Sequence, residues 1–219
     1  LTVAITISRV KRLGGRMTKR AAFFAATLVA HAISGAAHAD ISLAQASFIF
    51  DGKRVEIGPN TPDAAKYASR FASIPASCDP NCIAPAEAAV GIETVIEPQV
   101  LAFLADAVGK NKWLLVDARM PSDRGLGFIP GSVSLPHPTI AEAGETRTQI
   151  LKALGARAFD DIYNFADAQM LMVYDNGPSQ NDAGVLIAHL LEVGYPPEKI
   201  RYYRGGMQVW SVLALTVQE

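Results

Sequence analysis

Cysteine is almost missing from this chain of 219 residues: there are two, Cys78 and Cys82, and none in the 137 residues that follow. Any thiol chemistry must therefore come from that one pair. There are four histidines, and none lies near the cysteines in sequence. Neither His137, beside Pro136, nor His189, on an apolar helical face, has the spacing of a metal-ligand set, so no metal or cofactor is expected. No apolar run reaches the roughly 20 residues needed to span a bilayer. Acidic residues are missing from the first 39 positions, although the chain has 21 of them.

That acid-free stretch has an order of its own. Lys19 and Arg20 precede an apolar run over residues 21–30, and Ala37-His38-Ala39 follows. A basic segment, a short apolar core and a small-x-small triplet read as a secretory signal, with Met17 as the start and cleavage between Ala39 and Asp40. The expected location is periplasmic or secreted, with no membrane span after cleavage. Six of the 20 Lys and Arg lie in the leader, which leaves 14 against 21 acids and a net charge of −7 for residues 40–219. A dispersed acidic surface disfavours nucleic acid or an anionic membrane as partner.

In an oxidising compartment two nearby thiols default to a disulfide. "SCDPNC", residues 77–82, places Asp79, Pro80 and Asn81 between them, turn formers that favour the reversal a Cys78–Cys82 bridge needs. The sharper readings, a redox pair or a soft-metal site, are weaker because Cys-x3-Cys is not the redox spacing.

Residues 40–92 read as an N-terminal extension. "SFIFDGKRVEI" is a hairpin with Asp51-Gly52 as its two-residue turn. "TPDAAKYASRFAS" is a short helix with Thr61 as N-cap and Pro62 in its first position. Residues 74–89 form a connector.

From residue 93 the pattern alternates. "ETVI" is a strand and "EPQVLAFLADAVGKN" a helix, with Val100, Leu101, Leu104 and Val108 on one face and Gly109 at its end. "WLLVDAR" and "QMLMVY" are apolar runs of the kind that form buried parallel strands. Residues 139–165 read as partly helical, with "TRTQILKALGA" the strongest segment. "NDAGVLIAHLLEVGY" is a helix with Val185, Leu186, His189, Leu190 and Val193 inward, followed by a strand in "KIRYYRGG" and a closing helix in "GMQVWSVLAL". Trp113 and Trp210 are expected in the core and Arg204 in a structural or surface role. The fold class is α/β, a parallel sheet flanked by helices. Ligands then bind at the carboxyl ends of strands, here "DAR" at 117–119 and "DNGPSQ" at 175–180.

These motifs carry a resemblance. "WLLVDAR" with "GFIPGSVSLP", and "LLEVGYPPEKIRYYRGGMQVW" after a strand and "NGP", make residues 93–219 resemble a rhodanese-like domain of the exported bacterial type. The resemblance implies a sulfurtransferase fold in which a loop cysteine takes sulfur as a persulfide, inside a cradle of loop amides and a helix N-terminus. At the position of that cysteine this sequence has Asp175, and Gln180 replaces the loop's usual arginine. Asn176, Gly177, Pro178 and Ser179 lie between them. A carboxylate cannot form a persulfide. Aspartate can act as a covalent nucleophile, but no second carboxylate or metal motif accompanies it. If the Asp175 carboxylate folds inward it accepts the loop N–H groups, which would lower its pKa. Asp117 and Arg119 are expected to fix the strand end near this loop.

The reading that follows is a catalytically silent homologue that binds a small anion or an unknown protein partner. The alternatives are an enzyme whose thiol chemistry has moved to Cys78 and Cys82, and a structural accessory domain without a ligand.

Overall fold

The computed structural model describes residues 45–59, 61–72, 83–106, 113–159 and 162–219. Residues 1–39, read as a leader, both cysteines, Val108 and Gly109 lie outside them.

The chain opens with β1 (Ala46–Phe50) and β2 (Lys53–Ile57), an antiparallel hairpin. Its turn residues have positive φ, 47° at Asp51 and 73° at Gly52, as a type I′ turn requires. Helix α1 spans Ala64–Ser69. It starts later than the sequence suggests. Residues 62–63 form a turn, the Ala64 N–H donates to the Thr61 carbonyl at 3.0 Å, and no side chain caps the helix.

Five strands build the central sheet: β3 (Glu93–Val95), β4 (Trp113–Asp117), β5 (Ser132–Ser134), β8 (Met170–Tyr174) and β9 (Ile200–Tyr203). Their order is β3-β9-β8-β4-β5, and every pairing is parallel. Side chains alternate along β8. Leu171 and Val173 enter a core under α4 (Glu145–Ala153) and α5 (Asp182–Glu192), with Leu151, Leu186 and Ile187. Met172 and Tyr174 enter a second core with α2 (Glu97–Asp106), α6 (Gly206–Val212) and the β1 strand. Period-two alternation with both faces covered explains why β8 reads as a continuous apolar run. Phe48, Leu104 and Trp210 share the second core, so the hairpin is packed into the domain.

One expectation is met, with an unexpected strand pair beside it, and two need correction. The segment at 139–165, read as partly helical, holds a 3-10 turn (His137–Ile140), α4, and an antiparallel pair, β6 (Arg157–Phe159) with β7 (Ile162–Asn164). Strands of three residues are too short to show a period. On α5 the buried positions are Ala183, Leu186, Ile187 and Leu190, while Val185, His189 and Val193 are half-buried. Trp113 is half-buried at the start of β4, edge-on to Phe103 at 5.4 Å, whereas Trp210 is fully buried. The short helix α3 (Pro121–Arg124) follows β4.

Candidate functional site at the β8–α5 loop

Strands β4 and β8 run in register and end together, Asp117 opposite Tyr174. The loop 175–180 leaves this edge and enters α5. Asp175 is completely buried. Its Oδ1 accepts the Gly177 N–H at 2.8 Å and its Oδ2 accepts the Ala183 N–H at 3.0 Å. One carboxylate thus holds the loop closed and caps the first turn of α5, where the Asn181 side chain makes no cap bond. With both oxygens engaged and no solvent contact, Asp175 has the geometry of a cap rather than of an attacking nucleophile.

The loop is stitched on its other side to α6. The Asp175 carbonyl accepts the Met207 N–H at 3.0 Å and the Asn176 carbonyl accepts the Gln208 N–H at 2.9 Å. The approach requires Gly206 (φ +54°). A Cβ there would collide with the Asp175 carbonyl and come within 2.8 Å of the Asn176 carbonyl carbon. The Gly-Gly step of "RGGMQVW" is therefore a seat for the loop.

The carboxyl pKa of Asp175 is pushed up to about 6 from 3.8. Burial is the largest cause, the two N–H bonds pull the other way, and Asp182 adds like-charge repulsion. Hydrogen bonding alone had suggested a lowered value. Removal from water outweighs these bonds and the smaller pull of the Arg119 charge. Burial also raises Asp182, which lies 3.8 Å from His137 Nε2.

Asp117 and Arg119 bind the same edge together. Arg119 is buried, and all five of its N–H groups are used. Nε reaches Asp117 Oδ1 at 2.8 Å, and Nη2 reaches Asp117 Oδ2 at 2.7 Å and the Gly127 carbonyl at 2.9 Å. Nη1 reaches the Asn176 Oδ1 at 3.0 Å and the Asp123 carbonyl at 3.4 Å. Asp117 also accepts from Arg124 and from the Tyr174 hydroxyl, both at 2.9 Å. Arg119 therefore links the loop to the turn after β4, a positioning role. At the outer end, Asn176 Nδ2 donates to Gln180 Oε1 at 2.9 Å, and Ser179 and Gln180 are exposed.

Two features had no signal in the sequence. The Ala84 N–H donates to the Pro178 carbonyl at 2.7 Å, and Arg204 donates to the Ala84 carbonyl at 2.9 Å, so the extension is docked on the loop. Arg204 is structural, but backbone-carbonyl partners leave no residue pattern. A cleft of about 360 Å³ lies beside the loop, between Asn176, Gln180, Gln208 and Ser211 on one side and Tyr67, Arg70 and Phe71 of the α1 segment on the other. Among the described residues, no group of three or more His, Cys, Asp or Glu is placed to hold a metal ion, and no helix is long and apolar enough to cross a membrane.

The model of the rhodanese-like domain matches residues 101–213, more than half of the chain. The chain belongs to the rhodanese-like domain family. No curated protein sequence matches it. Among solved structures, one from Lactobacillus plantarum is similar at 20% identity, covering 57% of this chain and 87% of that one, TM-score 0.42. A thiosulfate sulfurtransferase from Pseudomonas aeruginosa is similar at 17% identity over 74% of this chain and 24% of its own, TM-score 0.43. A human single-domain sulfurtransferase is similar at 20% identity over 53% of this chain and 93% of its own, TM-score 0.36. The family segment contains the loop, Asp117, Arg119 and the α6 seat. The hairpin, α1 and Ala84 precede it, so one wall of the cleft comes from outside the family's domain.

Proposed function

We propose that this chain is an exported rhodanese-family protein whose loop no longer transfers sulfur and which serves in the periplasm as a binding or accessory module, for a small anion or a protein partner. One observation carries this reading: the carboxylate of Asp175 is turned inward on the Gly177 and Ala183 N–H groups. In an active family member a cysteine stands at this position, and the amides of the loop and the following helix start receive the anionic donor. Here the chain's own anion takes up two of those donors. The exposed Gln180 supplies no charge where the family has arginine.

A thiosulfate:cyanide sulfurtransferase assay tests the reading. The native protein is expected to show no turnover above buffer. Asp175→Cys frees both N–H groups but is expected to restore little. Asp175→Cys with Gln180→Arg should do more, because a cation returns to the loop. Native turnover at an ordinary enzyme rate, about 1 s⁻¹ or faster, would refute the silent loop. Mass spectrometry of the exported protein should show Asp40 as its first residue, and an intact terminus at Met17 would refute the cleaved leader.

A second reading is favoured by the docking of Ala84 on Pro178. Cys82 lies two residues before Ala84 in the sequence. A Cys82 thiolate would attack the outer sulfur of thiosulfate, releasing sulfite and leaving a persulfide, and cyanide would then remove that sulfur as thiocyanate. Turnover that disappears in Cys82→Ser and persists in Asp175→Asn would establish this reading over the first.

A further inference from the structure

We propose that the cleft between the α1 segment and the 175–180 loop binds an organic monocarboxylate with an apolar body, with Arg70 and Ser211 as its polar contacts. The inference rests on reading this edge of the sheet as a binding site, and names the ligand class.

The first observation is Ser211. It is 2% exposed, it lines the cleft, and its Oγ has no hydrogen-bond partner among the described residues. An unpaired buried hydroxyl is costly, and native folds retain few. A ligand oxygen in the cleft would satisfy it.

The second observation concerns which cation can meet an anion there. Arg119 also lines the cleft, but its five N–H groups are all engaged within the fold. Arg70 differs. Among the described residues its guanidinium makes no hydrogen bond. Glu219 stands 3.7 Å away and is held at 2.6 Å by Lys66. The Arg70 guanidinium lies over the Tyr67 ring, 5.2 Å from its centroid, and its Nη1 faces Gly127, 3.6 Å from where a Cβ would stand. It is pre-positioned at the cleft with donors to offer, and guanidinium geometry suits a carboxylate.

The remaining walls set the rest of the ligand. Tyr67, Phe71, Leu126 and Met207 supply apolar surface, which an inorganic anion would leave uncovered. Asp123 borders the same cleft and Asp175 lies behind the loop. With Glu219 beside Arg70, three nearby carboxylates disfavour a second negative charge, so a dianion such as thiosulfate is rejected. One charge, balanced by Arg70 and attached to an apolar body, fits.

The test uses the full chain with three probes, phenylacetate, 2-phenylethanol and thiosulfate, followed by protein NMR and calorimetry. Phenylacetate should saturably shift the amides of Tyr67, Gly127 and Ser211, with 2-phenylethanol at least about tenfold weaker, the value of one charge-assisted contact. Arg70→Gln should cost about tenfold in phenylacetate affinity with an unchanged circular dichroism spectrum. Ser211→Ala should raise Tm, because an unpaired hydroxyl leaves the core, and still weaken phenylacetate severalfold. A packing role alone would not give those opposite signs. Equal affinity in wild type and Arg70→Gln, equal binding of 2-phenylethanol, or no phenylacetate binding overturns the site. Thiosulfate turnover with phenylacetate binding intact would instead overturn the silent-loop reading and keep this site.

Discussion

Replacing Asp175 by asparagine separates the two forces on the loop, because asparagine keeps the shape and removes the titration. Burial raises the carboxyl pKa in the folded protein to about 6, against 3.8 for an ordinary aspartate. A folded state that holds its proton more tightly gains relative stability where that proton is bound. Stability from this group is therefore highest below about pH 3.8, falls as pH rises from there to about 6, and is level above. The difference of about two pH units corresponds to roughly 3 kcal/mol. Asparagine offers one acceptor to the Gly177 and Ala183 N–H groups, so it carries a pH-independent cost of about 1 kcal/mol. The quantity to measure is the stability of the native protein minus that of Asp175→Asn, from urea unfolding between pH 4 and pH 7.5. Other titrations, that of Asp182 among them, belong to both proteins and largely cancel. The difference should fall by about 2–3 kcal/mol across that range. A difference that rises with pH would mean that the two N–H bonds outweigh desolvation, and a flat difference would mean that Asp175 is solvated. The first result would refute the dominance of desolvation, and the second the inward, water-free carboxylate.

Arg119→Gln breaks a buried pair and strands part of Asp117, and should cost about 3–5 kcal/mol in urea unfolding even though Arg124 remains. Gly206→Ala drives a Cβ into the loop backbone at positive φ, and should destabilise by at least about 2 kcal/mol, read as a lower urea midpoint. Titration of the unfolded, unreduced chain should find no reactive thiol. The short Cys78–Cys82 loop should contribute only about 2 kcal/mol, and two reactive thiols per chain would disprove the bridge.

The sheet was legible because its strands are buried on both faces. "WLLVD" and "MLMVY" are apolar throughout and end in polar residues at the same edge, and that edge located the loop from sequence alone. What could not be read is geometry that depends on backbone partners. Ala84 meeting Pro178 and Arg204 meeting the Ala84 carbonyl leave no periodicity and no residue preference. The raised pKa of Asp175 escapes the sequence for a related reason: its acceptor role follows from the loop's shape, but the desolvation is a property of the packed core, in which Tyr174, Ala183 and Met207 are buried too. The α1 wall of the cleft was hidden because a six-residue helix with one buried side chain, Tyr67, shows too little amphipathic pattern to reveal which face it covers.

The same physics connects the loop to the proposed cleft. Backbone N–H groups converging at a helix start invite an anion, and if left unpaired in a buried loop they are costly. Asp175 satisfies two of them from within the chain. An external anion at that spot would meet donors already taken and a carboxylate that is ionised above about pH 6. Attraction for a ligand must then come from a cation outside the loop. Arg119 is consumed by the fold, and Gln180 carries no charge. Arg70 remains, on a segment that precedes the matched family domain. Lowering the pH below 6 should therefore strengthen phenylacetate binding, since protonating Asp175 removes a repulsive charge while the probe, whose own carboxyl titrates well below 6, stays anionic. Affinity that is unchanged between pH 7.5 and pH 5.5, or that falls, would show that Asp175 and the cleft are electrostatically independent. The same measurement on Asp175→Asn should show a smaller rise, the part left to Asp182.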